Sequence, residues 1–131
     1  MSVWQQFSVE QEIRAILSTS IPASGQEHLR RPFLTAYQIA LELNARHPQI
    51  AQALNVPVGG EGAGQRSSLA QYLAGQLSKR INNRTISDIE GALLSNHHLQ
   101  DIFFKAGQEE IRSSLTKSNY MLSMFRLTSL P

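Results

Sequence analysis

Along most of this chain the apolar residues recur with the spacing of helix faces, and no stretch shows the strict alternation of a half-buried strand. Val9, Ile13, Ile16 and Leu17 form one such stripe. Ser8-Val9-Glu10-Gln11 has capping-box spacing, so a helix is predicted to start at Ser8 and to stop at Ile21-Pro22-Ala23-Ser24-Gly25. A polar loop then runs to Arg31. Pro32 suits a first helical position, where its missing N–H costs nothing, and opens a second helix over Phe33–Arg46. Phe33, Leu34, Ala36, Tyr37, Ile39, Ala40, Leu41 and Leu43 leave it only a narrow polar stripe of Thr35, Gln38, Glu42 and Arg46. A helix apolar around most of its girth belongs at the centre of a fold. His47, standing before Pro48, ends it.

A short helix over Pro48–Leu54 follows, then a glycine-rich connector over Val56–Gly64. The next helix runs from Ser67 or Ser68 to Ile81, with Leu69, Tyr72, Leu73, Leu77 and Ile81 on one face. Gly75 lies inside it, and close packing is the expected reason for a residue that weakens a helix interior. Ser87-Asp88-Ile89-Glu90 repeats the capping-box spacing and opens a helix carrying Leu93 and Leu94. A further helix covers His98–Ala106 and stops at Gly107, and the tail from Glu109 to Leu127 reads as one helix or two. Sixteen Leu and twelve Ala against four Val lean the same way. The expectation is a single all-α domain over 1–131, a bundle of roughly six to eight helices around the central helix 33–46.

Composition narrows the functional classes. The chain contains no cysteine, which removes disulfides, thiolate metal sites and cysteine nucleophiles and fits a cytoplasmic location. No apolar run is long enough for a membrane span. His97 and His98 are adjacent and would diverge on a helix, while His28 and His47 stand alone, so no metal and no cofactor is expected. No nucleophile elbow occurs, the adjacent Glu109 and Glu110 suit a helix dipole rather than acid/base chemistry, and a non-enzymatic role is expected.

Two surfaces remain. Between Gly62 and Ser87 there is no acidic residue, whereas Arg66, Lys79, Arg80 and Arg84 supply +4, more than the +2 of the whole chain. With Ser67, Ser68 and Gln71 they make a candidate nucleic-acid or anion site, the helix start offering free amides to an anion. The Gly59–Gly64 loop lacks the lysine of a phosphate-binding loop, Gln65 standing in its place. Ile50-Ala51-Gln52-Ala53-Leu54-Asn55-Val56 resembles the first helix and turn of a helix-turn-helix DNA-binding unit, with a glycine-rich insertion before the helix that would read DNA. That resemblance implies a DNA-associated regulator using segment 66–84. The second surface is the tail, where Met121, Leu122, Met124, Phe125 and Leu127 crowd together as a contact face for a second copy or a protein partner. Self-association into a homodimer through that face is the first functional expectation, and DNA binding the second.

Overall fold

In the computed structural model, which describes residues 1–59, 68–114 and 121–130, the α-helices all lie before residue 83 and four of the five strands after it. Helix α1 (Val3–Gln6) is capped by Ser2, whose hydroxyl accepts a hydrogen bond from the Gln5 amide. Ser8 then takes a left-handed conformation (φ 50°) and leads directly into α2 (Val9–Ser18). It makes no side-chain cap bond. The capping box expected there is absent because Ser8 serves as the link between two helices.

The second helix begins later than Pro32 suggests. Leu34–Thr35 is a short strand, β1, and α3 covers Ala36–Arg46. Thr35 accepts from the Gln38 amide at 3.2 Å while the Gln38 side chain accepts from the Thr35 amide at 2.7 Å, a complete capping box. Helices α4 (Gln49–Leu54) and α5 (Leu69–Asn82) follow. Ile39, Ala40 and Leu43 of α3 are fully buried, with α2, α4 and α5 all packed on that helix.

The C-terminal region overturns the all-α expectation. It forms β2 (Ile89–Leu94), β3 (Asp101–Ala106), β4 (Glu109–Ser114) and β5 (Leu122–Leu127). Among the described residues there are five α-helices and five strands, a mixed helix-and-sheet fold rather than a helical bundle. One antiparallel sheet has the order β1-β5-β2, and the other is the β3-β4 hairpin. β5 is thus a middle strand, with Phe125 opposite Leu34 on one side and Gly91 on the other. With Leu122, Met124, Phe125 and Leu127 apolar and Ser123 and Arg126 polar, β5 lacks the strict alternation of a half-buried strand, and its spacing reads as a helix face in sequence. Ser87 and Glu90 stand at capping-box spacing, but Glu90 lies in β2 opposite Arg126. Gly107 ends no helix. With φ 60° it leads the two-residue turn Gly107-Gln108 between Ala106 and Glu109, where a primed turn favours glycine.

Specific contacts tie the two halves together. The hairpin lies against α3 through Phe104, whose ring stacks on Tyr37 at 5.3 Å between centroids. Burial raises the Tyr37 pKa, an effect partly offset by a hydrogen bond with Ser113. Arg31, 7% exposed, donates from Nε to Ser129 O (2.8 Å) and from Nη1 to Ser18 O (3.1 Å) and Ser20 O (3.2 Å). That clamp holds the end of α2 and the segment after β5 in place. Arg126 of β5 donates to Glu90 at 2.5 Å and lies over the Phe33 ring at 4.2 Å. No helix among the described residues is long and apolar enough to cross a membrane.

Candidate nucleic-acid interface

Helix α5 is built with one face for the core and one for solvent. Leu69, Leu73 and Leu77 point inward and are fully buried, as the spacing of three and four residues requires. Gln71, Gly75, Ser78, Lys79 and Asn82 are exposed and recur at the complementary spacing, so they form one stripe along the opposite side. From Gln71 to Asn82 this stripe is about 16 Å long at the helical rise of 1.5 Å per residue. It carries no carboxylate.

The helix start is less open than an anion site needs. Ser68 is buried at 2% exposure, and its hydroxyl caps the helix by accepting from the Gln71 amide at 3.1 Å. The Leu69 and Ala70 amides donate to Pro57 O (2.8 Å) and Val58 O (2.9 Å). Three of the first amides are therefore bonded within the chain. Arg66 and Ser67, the other residues of that candidate site, lie outside the described residues, as does most of the glycine-rich loop.

The basic residues at the far end have different surroundings. Arg80 is drawn inward, its guanidinium 4.5 Å from the centroid of the Trp4 ring, and its Nε is buried without a hydrogen-bond partner. Trp4 also meets Tyr72, one α5 residue on the same side, with ring centroids 6.4 Å apart. Burial raises the Tyr72 pKa, while the Arg80 charge and a hydrogen bond with the Trp4 backbone act against it. Lys79 and Arg84 face solvent instead, and no carboxylate of the described residues lies within ion-pair distance of either. The nearest acid in sequence, Asp88, is held by Arg14 of α2 at 2.5 Å. Its carboxyl is kept below the usual carboxylate range, chiefly by that hydrogen bond. Among the described residues, no carboxylate therefore pairs with the segment's positive charge where Lys79 and Arg84 emerge.

The remaining expectations fall on other parts of the molecule. The helix packed most extensively on α5 is α3, rather than the 50–56 segment that resembles the first helix of a helix-turn-helix. Leu122 and Phe125 belong to the core, Met124 and Leu127 are half-buried, and Met121 is exposed. The apolar crowding of 121–127 is that of a middle strand, and a helix face there is corrected by the sheet pairing. His97 and His98 sit in the loop between β2 and β3, and no cluster of metal-ligating side chains occurs among the described residues. At the hairpin tip Glu109 and Glu110 outweigh Lys105, so that end is acidic. Sequence reasoning missed Trp4 and α1 altogether, although Ser2-Val3-Trp4-Gln5 shows the capping-box spacing that could have located the helix. No family model matches the chain, and no curated protein and no solved structure matches it either.

Proposed function

We propose that this protein binds duplex DNA through the exposed face of α5. The observation that carries the reading is the acid-free polar stripe Gln71–Gly75–Ser78–Lys79–Asn82, ending beside the solvent-facing Arg84. A helix presenting amides and hydroxyls along its length and cations at one end has groups for base edges and for phosphates on a single surface. The surrounding architecture supports it. A helix precedes β1, α3 packs on α5, and the strands after α5 return to pair with β1 in the order β1-β5-β2. A helix-turn-helix reads DNA by laying the second of two packed helices in the major groove; here α4 stands between α3 and α5, and the support lent is that of fold-level analogy. Such a role fits the cytoplasmic placement expected from the absence of cysteine.

Titration of the protein into a labelled duplex of about 20 base pairs tests the reading, since non-specific affinity should lie near 10⁻⁴–10⁻⁶ M at physiological salt and tighten as salt is lowered. The double variant Lys79→Ala/Arg84→Ala should lower the salt slope by about two contacts' worth, each phosphate contact contributing roughly 0.9. Arg80→Ala should change the slope less than either, because its guanidinium is committed to Trp4. An absence of salt-sensitive binding by the intact chain at low ionic strength removes the proposal.

A further inference from the structure

Glycine has a visible reason at four of the five described positions. Gly25 and Gly107 adopt positive φ (91° and 60°), a Cβ at Gly59 would lie 3.0 Å from the Tyr37 ring, and one at Gly91 would lie 3.2 Å from the Phe125 ring. Gly75 is the exception. It sits in the middle of α5, its φ is not positive, and a Cβ there would meet nothing within 4 Å. The close packing expected from sequence is therefore not the reason for it. Glycine is the least favourable residue in a helix interior apart from proline, and nothing among the described residues favours it at this place.

The position of Gly75 on the stripe supplies an external reason. Gln71 and Lys79, four residues to either side, and Ser78, three residues on, are all exposed on the same face. The glycine is thus at the centre of the surface assigned above to DNA. A helix with its side chains is about 10–12 Å across, and the major groove of B-form DNA is about 12 Å wide. Such a fit leaves little clearance, and a bare backbone at the centre of the entering face lets the helix sit deeper.

We infer that Gly75 is the point of closest approach between α5 and B-form duplex DNA, with Gln71 and Lys79 reaching the groove on either side of it. The inference rests on the DNA-binding reading and deepens it, naming the ligand form and the residue that sets the depth. Duplex RNA is excluded by the same geometry, because the A-form major groove is deep and too narrow for a helix.

The test compares the intact chain with Gly75→Ala and Gly75→Leu, using thermal melting and binding to a duplex of about 20 base pairs, as DNA and as RNA of the same sequence. Gly75→Ala should raise Tm by about 2–5 °C, since alanine is the better helix former and has open space. The same change should weaken DNA binding about fivefold or more, Gly75→Leu should weaken it further, and the salt slope should stay unchanged because no cation is lost. RNA should bind more weakly than DNA of the same sequence and be indifferent to both substitutions. If the unaltered chain binds DNA and both variants bind equally well, the inference falls while the reading of α5 as the interface stands. A lowered Tm for Gly75→Ala also overturns it, by showing that the glycine has a structural reason. If the unaltered chain binds no DNA, the interface falls and this inference with it.

Discussion

Helix α3 and strand β5 are the two central elements of this fold, and they are equally apolar in sequence yet very differently announced. α3 carries its own boundaries: the Thr35–Gln38 capping box at one end, and His47 before Pro48 at the other. Its backbone hydrogen bonds close within four residues, so most of what specifies it lies inside the segment. β5 has no boundary signal of this kind. Its hydrogen-bond partners are Leu34–Thr35 and Ile89–Leu94, one of them far back in the chain. A middle strand is specified by what lies beside it, and the amino-acid run alone does not say what that is.

The largest effects are expected where α3 and β5 each enter the core. Leu43→Ala in α3, where the side chain is fully buried, should cost about 2–5 kcal/mol, and Phe125→Ala in β5 about 3–5 kcal/mol, through lost burial and the cavity left behind. Urea denaturation followed by far-ultraviolet circular dichroism measures both. A cost below about 1 kcal/mol for Phe125→Ala, with Leu43→Ala in the expected range, would mean that the helices fold without the sheet and that β5 is not central.

Next in size is the clamp that joins the regions. Arg31→Met keeps much of the side-chain volume but leaves the carbonyls of Ser18, Ser20 and Ser129 without their donor. A loss of about 2–3 kcal/mol is expected, the scale on which buried polar groups lose their partners. Proteolysis should then begin at the end of α2 or after β5. An unchanged urea midpoint would show that water replaces the guanidinium at those oxygens at no net cost.

A finer contrast uses the same methyl group in both regions. At Gly91 of β2 an added Cβ would press on the Phe125 ring at 3.2 Å, so Gly91→Ala should destabilise by about 1 kcal/mol as the ring shifts. In α5 the change Gly75→Ala should stabilise by about 1 kcal/mol. Both positions are exposed; helix propensity sets the sign at Gly75, and the Phe125 ring sets it at Gly91. If the two variants melt together, the Phe125 ring does not lie across β2 as described.

What could be read from the sequence follows the same division. The stripes of α2, α4 and α5 placed those helices to within a residue or two, because periodicity and local breakers suffice for them. The Thr35–Gln38 capping box starts α3 three residues later than Pro32 suggests, because Leu34–Thr35 pairs with β5 first. In the C-terminal region Leu-rich and Ala-containing runs such as Gly91-Ala92-Leu93-Leu94 favour helix locally, and pairing with β5 overrides them. The candidate interface divided likewise. The exposed face of α5 and its lack of acid were legible, whereas the capture of Arg80 by Trp4 and of Asp88 by Arg14 depends on helices that lie far away in the chain.

The smallest expected effect belongs to that last pair, which joins α2 to the residue just ahead of β2. Arg14 donates to Asp88 at 2.5 Å and to Glu10 at 3.1 Å, and the Asp88 side chain is 55% exposed. Its carboxyl pKa is depressed in the folded chain, first by the hydrogen bond from Arg14, so the contribution is present above the ordinary aspartate value of about 4 and is lost as pH falls through the lowered folded value. Asp88→Asn should therefore flatten the acid limb of the stability curve below about pH 4 and leave its alkaline side as it was. Near neutral pH the change should be no more than about 0.5 kcal/mol, because water and salt screen so exposed a pair, and it should shrink as salt is added. The substitution also removes a negative charge four residues from Arg84, which should slightly raise DNA affinity at low ionic strength. An Asp88→Asn protein with an unaltered acid limb would show that Arg14 is satisfied by Glu10 alone. The helical and sheet regions would then be joined by the core and the Arg31 clamp, without this ion pair.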